Sequence, residues 1–347
     1  MMRAEARIVR ARAPLRLGLA GGGTDVAPYC EEHGGAILNI TIQRYAYAFV
    51  TERKDDQVCF RSSDLDVTEL EGASPQVDDS GPTALLRGVY NRIVRQFRNG
   101  CPLPVTITTQ ADAPPGSGLG TSSAIVVALV DAFRAFLELP LSPYDVARLA
   151  FEIERQDLGL AGGRQDQYAA AFGGANFIEF LPGERVIVNP LRLRRGVLDE
   201  LEASMVTCFT GQSRQSSRII DEQVRRVTSG QDDVVAAMHQ LKADALDMKI
   251  ALLRGDIGGM ANVLRRSWEA KKRTASAISN ADIDQLFEFA LDQGALAGKV
   301  SGAGGGGFVM LLATPEARPA LLRSLRARGM AAEAVQFTDK GCETWTP

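Results

Sequence analysis

The chain has 347 residues, a length typical of two domains or of one large domain. Its hydrophobic content of 45% and charged content of 23% are ordinary for a globular protein, and its net charge of −3 excludes a broad attraction to nucleic acid or anionic membranes. The five cysteines form no C-x-x-C pair, which argues against a zinc site or a disulfide framework.

With only two histidines in the chain, we expect any catalytic base to be a carboxylate. No apolar run is long enough to span a membrane, and the N-terminus lacks the apolar segment of a signal peptide. We therefore expect a cytoplasmic protein.

In the first third of the chain, the residue pattern predicts strands followed by a helix. A strand is expected over 8–13, a second strand or hairpin over 36–50, and its partner over 58–60. The acidic stretch 64–79 is typical of a surface loop, and apolar periodicity predicts a helix from about 83 to 97.

The rest of the chain predicts an α+β protein of two domains, 1–193 and 194–347, with a solvated linker where Arg192, Arg194 and Arg195 cluster. The helix over 143–158 has strong start signals, because Ser142 can cap it and Pro143 suits its first position. Strands are expected over 105–109, 177–180, 186–188, 205–209, 308–312 and 332–337. Further helices are expected over 124–139, 213–227, 232–253, 256–273, 282–292 and 315–328.

The stretch from Pro114 to Ala124 lies between a predicted strand and a predicted helix, and we interpret it as a phosphate-binding loop. Glycines let the backbone approach a ligand, and a helix N-terminus adds free N–H groups and the positive end of its dipole. The stretch has no lysine for a Walker loop, and its glycine spacing differs from that of a dinucleotide loop. A capping loop without a ligand is the alternative.

Two further glycine clusters flank this loop along the chain. The first runs from Gly18 to Asp25, and a turn with a capping Asp25 is its plain alternative. The last comprises five glycines between Ser301 and Phe308, more than a tight turn needs. A flexible linker would be polar and would not lead straight into a hydrophobic strand.

These three clusters, in this order and with the sequences PPGSGLGTSSA and KVSGAGGGGF, resemble the GHMP family of small-molecule kinases over nearly the whole chain. The resemblance implies an N-terminal α/β domain like one domain of a ribosomal protein, and a C-terminal ferredoxin-like domain. It also implies phosphoryl transfer from ATP with Mg²⁺. The first cluster lacks the Glu-His pair of galactokinases and is most similar to bacterial kinases of the sugar anomeric hydroxyl.

The resemblance implies roles for individual residues. Asp166 would orient or deprotonate the attacking hydroxyl, and Arg16 would stabilise that aspartate and the transferring phosphoryl group. Ser122 and Glu154 would hold Mg²⁺ through oxygen atoms. ATP would bind Pro115, Gly116, Ser117, Gly118, Leu119, Gly120, Thr121, Ser122 and Ser123. The substrate would bind Gly22, Gly23, Thr24, Asp25, Arg164, Arg214, Gly304 and Gly305.

The implied reaction is phosphorylation of D-glycero-D-manno-heptose 7-phosphate to the 1,7-bisphosphate, for nucleotide-heptose and surface polysaccharide synthesis. Another anomeric kinase, for L-fucose or a related sugar, and a catalytically silent sensor of sugar or ATP are the alternatives. We expect a sugar phosphate and ATP as ligands and neither nucleic acid nor membrane as a partner. A homodimer is left open.

Overall fold

The computed structural model describes residues 6–211 and 216–347. These residues form an eight-stranded mixed sheet and a four-stranded antiparallel sheet, with helices packed on both. The strands are β1 (Ile8–Ala20), β2 (Gly35–Glu52), β3 (Gln57–Ser62), β4 (Val67–Gly72), β5 (Val105–Ala111), β6 (Ala175–Leu181), β7 (Arg185–Pro190), β8 (Met205–Phe209), β9 (Ala295–Val300), β10 (Phe308–Ala313), β11 (Ala331–Ala334) and β12 (Glu343–Trp345).

Helices connect and cover these strands, and within the described ranges none of them is long and apolar enough to cross a membrane. The helices are α1 (Tyr29–His33), α2 (Ala84–Phe97), α3 (Thr121–Phe136), α4 (Pro143–Glu152), α5 (Gln165–Phe172), α6 (Arg195–Ser204), α7 (Ser216–Thr228), α8 (Asp232–Arg254), α9 (Ile257–Thr274), α10 (Ala281–Asp292) and α11 (Arg318–Ala327). A π-helical turn, Ile153–Asp157, continues α4.

The large sheet is organised around β2, which is long enough to pair with three strands. It pairs with β1 between residues 38 and 51, with β6 over 35–40 and with β5 over 46–52. The sheet therefore forks along β2, with β3 and β4 on one branch and β7 on the other. The register of β1 against β2 shifts after Pro14 and again after Gly18, where the first glycine cluster begins.

Helix α3 forms the centre of the first core, packed on β1 and β2 with α2, α4 and α5 beside it. It begins just after Gly120, whose φ of +78° is a left-handed conformation that glycine adopts without strain. Helix α4 has the expected start: the Ser142 hydroxyl accepts from the Asp145 N–H, and the Asp145 carboxylate accepts from the Ser142 N–H.

The small sheet has the order β11-β8-β10-β9, which is the 4-1-3-2 order of a ferredoxin-like fold. This order confirms the ferredoxin-like fold expected for the C-terminal part of the chain. Helices α8 and α9 pack together, α8 against β1 and β2 and α9 against β9, so they join the two sheets. After β11 the chain returns to the large sheet, where β12 pairs with β1.

Several elements differ from the sequence-based predictions. Strand β4 lies inside the acidic stretch 64–79, which was expected to be a loop. Its side chains Glu69 and Glu71 form ion pairs with Arg87 of α2, so the strand lacks the apolar pattern by which strands are predicted. Helix α6 begins at the last arginine of the expected linker and buries Val197 and Leu201 on one face. Strand β1 continues to Ala20, so Arg16 lies in a strand and not in a glycine loop.

Candidate active site

The central and last glycine clusters pack backbone against backbone. The Phe308 N–H donates to the Ser117 carbonyl at 2.8 Å, and the Ser301 hydroxyl donates to the Gly118 carbonyl at 2.9 Å. A Cβ on Gly118 would lie 2.4 Å from the Ser301 carbonyl oxygen, and one on Gly307 would lie 2.3 Å from that of Ser117. These glycines are thus needed for the loops to touch each other, besides any approach to a ligand.

Arg16 and Asp166, which the sequence analysis paired by role, form an ion pair. The Arg16 Nε and Nη2 atoms lie 2.7 and 2.6 Å from the Asp166 Oδ1 atom, and Arg16 is 3% exposed. The third guanidinium nitrogen donates to the Gly118 carbonyl. Asp166 lies in the first turn of α5, and a Cβ on Gly120 would be 3.2 Å from its Cγ atom.

Glu154 lies in the π-helical turn and is 1% exposed. Its carboxylate accepts from the Ser123 hydroxyl at 3.1 Å and from the Gln167 amide. Burial raises the pKa of Glu154, although these hydrogen bonds and the nearby Arg155 oppose that shift. Its hydroxyl partner is therefore Ser123, the neighbour of the predicted Ser122.

Asp25 closes the first glycine cluster and is also buried, at 2% exposure. It accepts from the backbone N–H groups of Gln165 at 3.0 Å and Gly23 at 3.2 Å. A Cβ on Gly163 would lie 1.9 Å from its Oδ2 atom, so glycine is needed there. Burial raises the pKa of Asp25, and those backbone donors counteract only part of that effect.

Two buried lysines, one in a helix and one in a strand, complete the polar groups. Lys271 of α9 donates to the Gly22 carbonyl at 3.0 Å, and Lys299 of β9 donates to the Gly18 carbonyl at 3.1 Å. Burial lowers the pKa of Lys271 to about 8 and that of Lys299 to about 7. Gln223 of α7 reaches the same loop, donating to the Gly23 carbonyl at 3.1 Å.

A cavity of about 640 Å³ lies between the glycine clusters, α7 and α9. Its lining brings together many of the predicted site residues: Arg16, Gly23, Asp25, Pro115, Gly116, Gly118, Gly120, Thr121, Ser122, Ser123, Glu154 and Asp166. Lys271 and Gln223 line it too. It is thus large enough for two small ligands and carries both cationic and anionic groups.

Other predicted residues lie elsewhere. Ser117 and Leu119 are buried beneath the loop, and the Thr24 hydroxyl is bonded to the backbone of Gly21 and Ala36. Arg164 forms an ion pair with Glu31. The Gly22 carbonyl accepts a hydrogen bond from Lys271. Gly304 and Gly305 lie against Ile278, and from the last glycine cluster Gly302 and Ala303 line the cavity instead. Arg214 lies outside the described residues.

The residues that would hold Mg²⁺ fit a metal carried in by a nucleotide better than a permanent metal site. Across 6–211 and 216–347, no three His, Cys, Asp or Glu side chains are grouped as a metal site. Glu154 and the Ser122 hydroxyl line the same cavity, and both offer the oxygen ligands that Mg²⁺ prefers. Mg²⁺ commonly takes one or two protein oxygens and completes its shell with phosphates and water.

Comparison with known proteins places these features in context. The family model "GHMP kinases N terminal domain" matches residues 84–174, and "GHMP kinases C terminal" matches residues 248–330. The D-glycero-alpha-D-manno-heptose 7-phosphate kinase of Campylobacter jejuni is 41% identical over 98% of this chain and 99% of its own length.

Solved structures give the same result for the fold. A crystal structure described as a D-glycero-D-manno-heptose 1-phosphate kinase from Bacteroides thetaiotaomicron has a TM-score of 0.83 and 44% identity, covering 97% of this chain and 98% of that chain. Lactococcus lactis galactokinase complexed with galactose has a TM-score of 0.75 over 97% of this chain and 95% of that chain. At 16% identity, it shares the fold alone.

Proposed function

This chain belongs to the GHMP kinase family, and on that premise we propose that it phosphorylates the anomeric hydroxyl of D-glycero-D-manno-heptose 7-phosphate with ATP. The product would be the 1,7-bisphosphate. The observation that carries the proposal is the Arg16–Asp166 ion pair, which lies beside Gly120 in a cavity that Asp25 also lines. The named relatives support a heptose as the substrate.

ATP would bind with its phosphates at the central loop. The loop ends at the N-terminus of α3, a 16-residue helix whose free N–H groups and dipole favour anions. The loop backbone is fixed in advance by its contacts with Ser301 and Phe308, so little reorganisation is needed when the phosphates bind.

Asp166 would act on the sugar hydroxyl that attacks the γ-phosphate. Its Oδ1 atom is held by Arg16, which leaves Oδ2 to accept the hydroxyl proton or to orient the hydroxyl. The Arg16 guanidinium also lines the cavity, where its fixed positive charge would stabilise the charge on the transferring phosphoryl group.

Asp25 and Lys271 would bind sugar hydroxyls on the other side of Asp166. Asp25 is fixed by two backbone N–H groups, and the Lys271 ammonium is fixed by the Gly22 carbonyl. Mg²⁺ would be held by Glu154 and Ser122, with the Ser123 hydroxyl supporting the Glu154 carboxylate. When bound, Mg²⁺ would neutralise charge on the β- and γ-phosphates.

A coupled assay of ADP release tests the proposal. Heptose 7-phosphate, unphosphorylated heptose, mannose 6-phosphate, L-fucose and galactose would each be offered to the purified enzyme with MgATP. We expect the highest kcat/KM with heptose 7-phosphate, and a product with a second phosphate on C1 by phosphorus NMR. A clear preference for L-fucose, or phosphorylation at another position, would contradict the proposal.

A further inference from the structure

A second cavity of about 280 Å³ adjoins the main one and has no role in the scheme above. The two cavities are continuous, because seven residues line both: Asp25, Val26, Arg155, Leu160, Ala161, Gly162 and Ile220. Phe151, Arg164 and the α7 residues Asp221 and Val224 line the second cavity alone. A ligand that occupies the main cavity beside Asp25 can therefore extend into this one.

Arg164 in the wall of this second cavity is 6% exposed and is only partly satisfied. Its Nη2 atom donates to Glu31 at 2.6 Å, and its guanidinium carbon lies 5.3 Å from the centre of the Phe151 ring. Its Nη1 atom is buried without a hydrogen-bond partner. Buried donors of a charged group normally have acceptors, so this arginine is suited to an additional anion.

Arg155 lies where the two cavities meet, and its side chain is 15% exposed. Its terminal nitrogens donate to the carbonyls of Leu160 and Gly163, while its Nε atom is buried without a partner. A Cβ on Gly162 would lie 2.4 Å from the Arg155 Nη2 atom. The absent side chain at Gly162 thus lets the guanidinium lie flat on the backbone, next to the segment that holds Asp25.

Resting on the proposed function, we infer that the second cavity is the subsite for the phosphate at the far end of the sugar, held between Arg155 and Arg164. Arginine suits this task because it is always charged and its N–H groups form charge-assisted hydrogen bonds with phosphate. Arg164 Nη1 and Arg155 Nε are the two buried donors that have no partner among the described residues. Of the acidic residues in the lining, Asp25 is bonded to backbone N–H groups and Asp221 is exposed to solvent. Glu31 is already engaged by Arg164 and by the Gly183 N–H.

The subsite would make the enzyme select phosphorylated sugars. A sugar without the distal phosphate would leave Arg164 Nη1 and Arg155 Nε without a hydrogen-bond acceptor. The chemistry at the anomeric carbon would be the same for both sugars. The preference for heptose 7-phosphate over heptose, as a ratio of kcat/KM values, is therefore the quantity that reports on the subsite.

The test compares this ratio in wild type, Arg155→Gln and Arg164→Gln. Losing one charge-assisted pair to phosphate should lower the ratio about 10- to 100-fold, because kcat/KM for heptose 7-phosphate falls much more than kcat/KM for heptose. Because both substrates are measured on one preparation, a partly unfolded variant does not distort the ratio. Arg148→Gln is the matched control, since Arg148 is exposed and pairs with Glu152 outside both cavities.

Gly162→Ala provides a second variant that retains both charges and displaces the Arg155 guanidinium. It should lower the same ratio, because the displaced guanidinium would no longer meet the distal phosphate. Unchanged ratios in both arginine variants would overturn the subsite, and a fall in the ratio only in Lys271→Met would place the phosphate in the main cavity instead. A wild-type enzyme inactive on heptose 7-phosphate would overturn the proposed function and is distinguishable from either result.

Discussion

Asp166 has two kinds of neighbour, a buried guanidinium and the backbone of a glycine loop, and its substitution separates chemistry from structure. We predict that Asp166→Asn lowers turnover by about 10²–10⁴-fold while ATP and sugar affinities stay within a few-fold of wild type. The melting temperature should fall as well, because Arg16 loses its counter-charge while it is 3% exposed. Turnover must therefore be expressed per folded molecule, from activity and thermal unfolding of one preparation.

Asp244→Asn is the control for this variant. Asp244 is buried and its Oδ1 atom lies 2.6 Å from the Arg266 Nε atom, so its substitution also removes a carboxylate from an ion pair. We expect a lower melting temperature and normal turnover per folded molecule. Near-normal turnover of folded Asp166→Asn would show that Asp166 is a structural residue.

Glu154 and Glu152 are two positions apart and have opposite surroundings. Glu154 is buried against Ser123 and Gln167 in the cavity wall, whereas Glu152 pairs with Arg92 and Arg148. We predict that Glu154→Gln raises the Mg²⁺ concentration for half-maximal activity and lowers turnover. Its melting temperature should stay level or rise, since a buried carboxylate with a raised pKa is replaced by a neutral amide.

Glu152→Gln is the matched control, and it should lose some stability while its Mg²⁺ dependence stays that of wild type. Titrating Mg²⁺ at fixed ATP in both variants makes the comparison. If the two variants had the same Mg²⁺ dependence, Glu154 would be a buried structural carboxylate and the metal would bind elsewhere.

At the level of loops and helices, the docking of the last glycine cluster on the central loop should be measurable at Gly118. We predict that Gly118→Ala raises the ATP dissociation constant and lowers the melting temperature, because its Cβ would meet the Ser301 carbonyl oxygen at 2.4 Å. Gly81→Ala separates this clash from backbone strain. Gly81 has a φ of +83°, against +81° at Gly118, but open space around its Cβ direction.

Calorimetric titration of ATP and thermal unfolding of both variants provide the readout. The strain of a left-handed non-glycine residue is common to the two, so the difference between them measures the contact between loops. Equal losses in the two variants would mean that Ser301 moves aside easily and that the docking adds nothing to nucleotide binding.

The sequence predicted the elements whose signals are local. Capping residues marked the start of α4, apolar periodicity marked α3, and glycine runs marked two loops that do meet. It missed β4, which is held by ion pairs to Arg87, and it missed β12, which is three residues long and pairs with a strand from the other end of the chain. Such elements depend on tertiary contacts that leave no periodic pattern.

For the candidate site, the family resemblance carried by the glycine motifs was the guide. It implied roles for Asp166 and Glu154, and both line the cavity. Lys271 follows an amphipathic helical pattern in which a lysine suggests a solvated face, yet it is 5% exposed because α9 packs beneath the first glycine cluster. The sequence did not indicate the role proposed for Arg155 either, since that role depends on a second cavity that only the structure reveals.

For the molecule as a whole, Lys299 joins the two sheets, since it extends from β9 to the Gly18 carbonyl of β1. Its pKa is lowered to about 7 by burial and by the nearby Lys271 and Arg16, against an ordinary value of 10.5 for lysine. Below pH 7 this lysine is charged in both folded and unfolded states. Between about pH 7 and 10.5 the unfolded state binds more protons, so the free energy of unfolding rises with pH.

We therefore predict that wild type gains stability relative to Lys299→Met over this range, by at most about 1.4 kcal/mol per pH unit. Denaturant unfolding at several pH values gives the free energy of unfolding of each protein. The difference between the two proteins removes the contribution of titratable groups that both contain. Lys340→Met, at an exposed position, should follow the wild-type profile. Parallel profiles for wild type and Lys299→Met would contradict the assignment of a neutral buried lysine at high pH.

The contact between the central and last glycine clusters also bears on synthesis at the ribosome. The Gly118 carbonyl is held by the Ser301 hydroxyl, which is 183 positions later in the chain. A nascent polypeptide can form β1, β2 and α3 early, since domains tend to fold from the N-terminal side during translation. Its nucleotide loop would nevertheless lack its support until residues 301–308 emerge, so an incomplete chain is not expected to trap or consume ATP while translation continues.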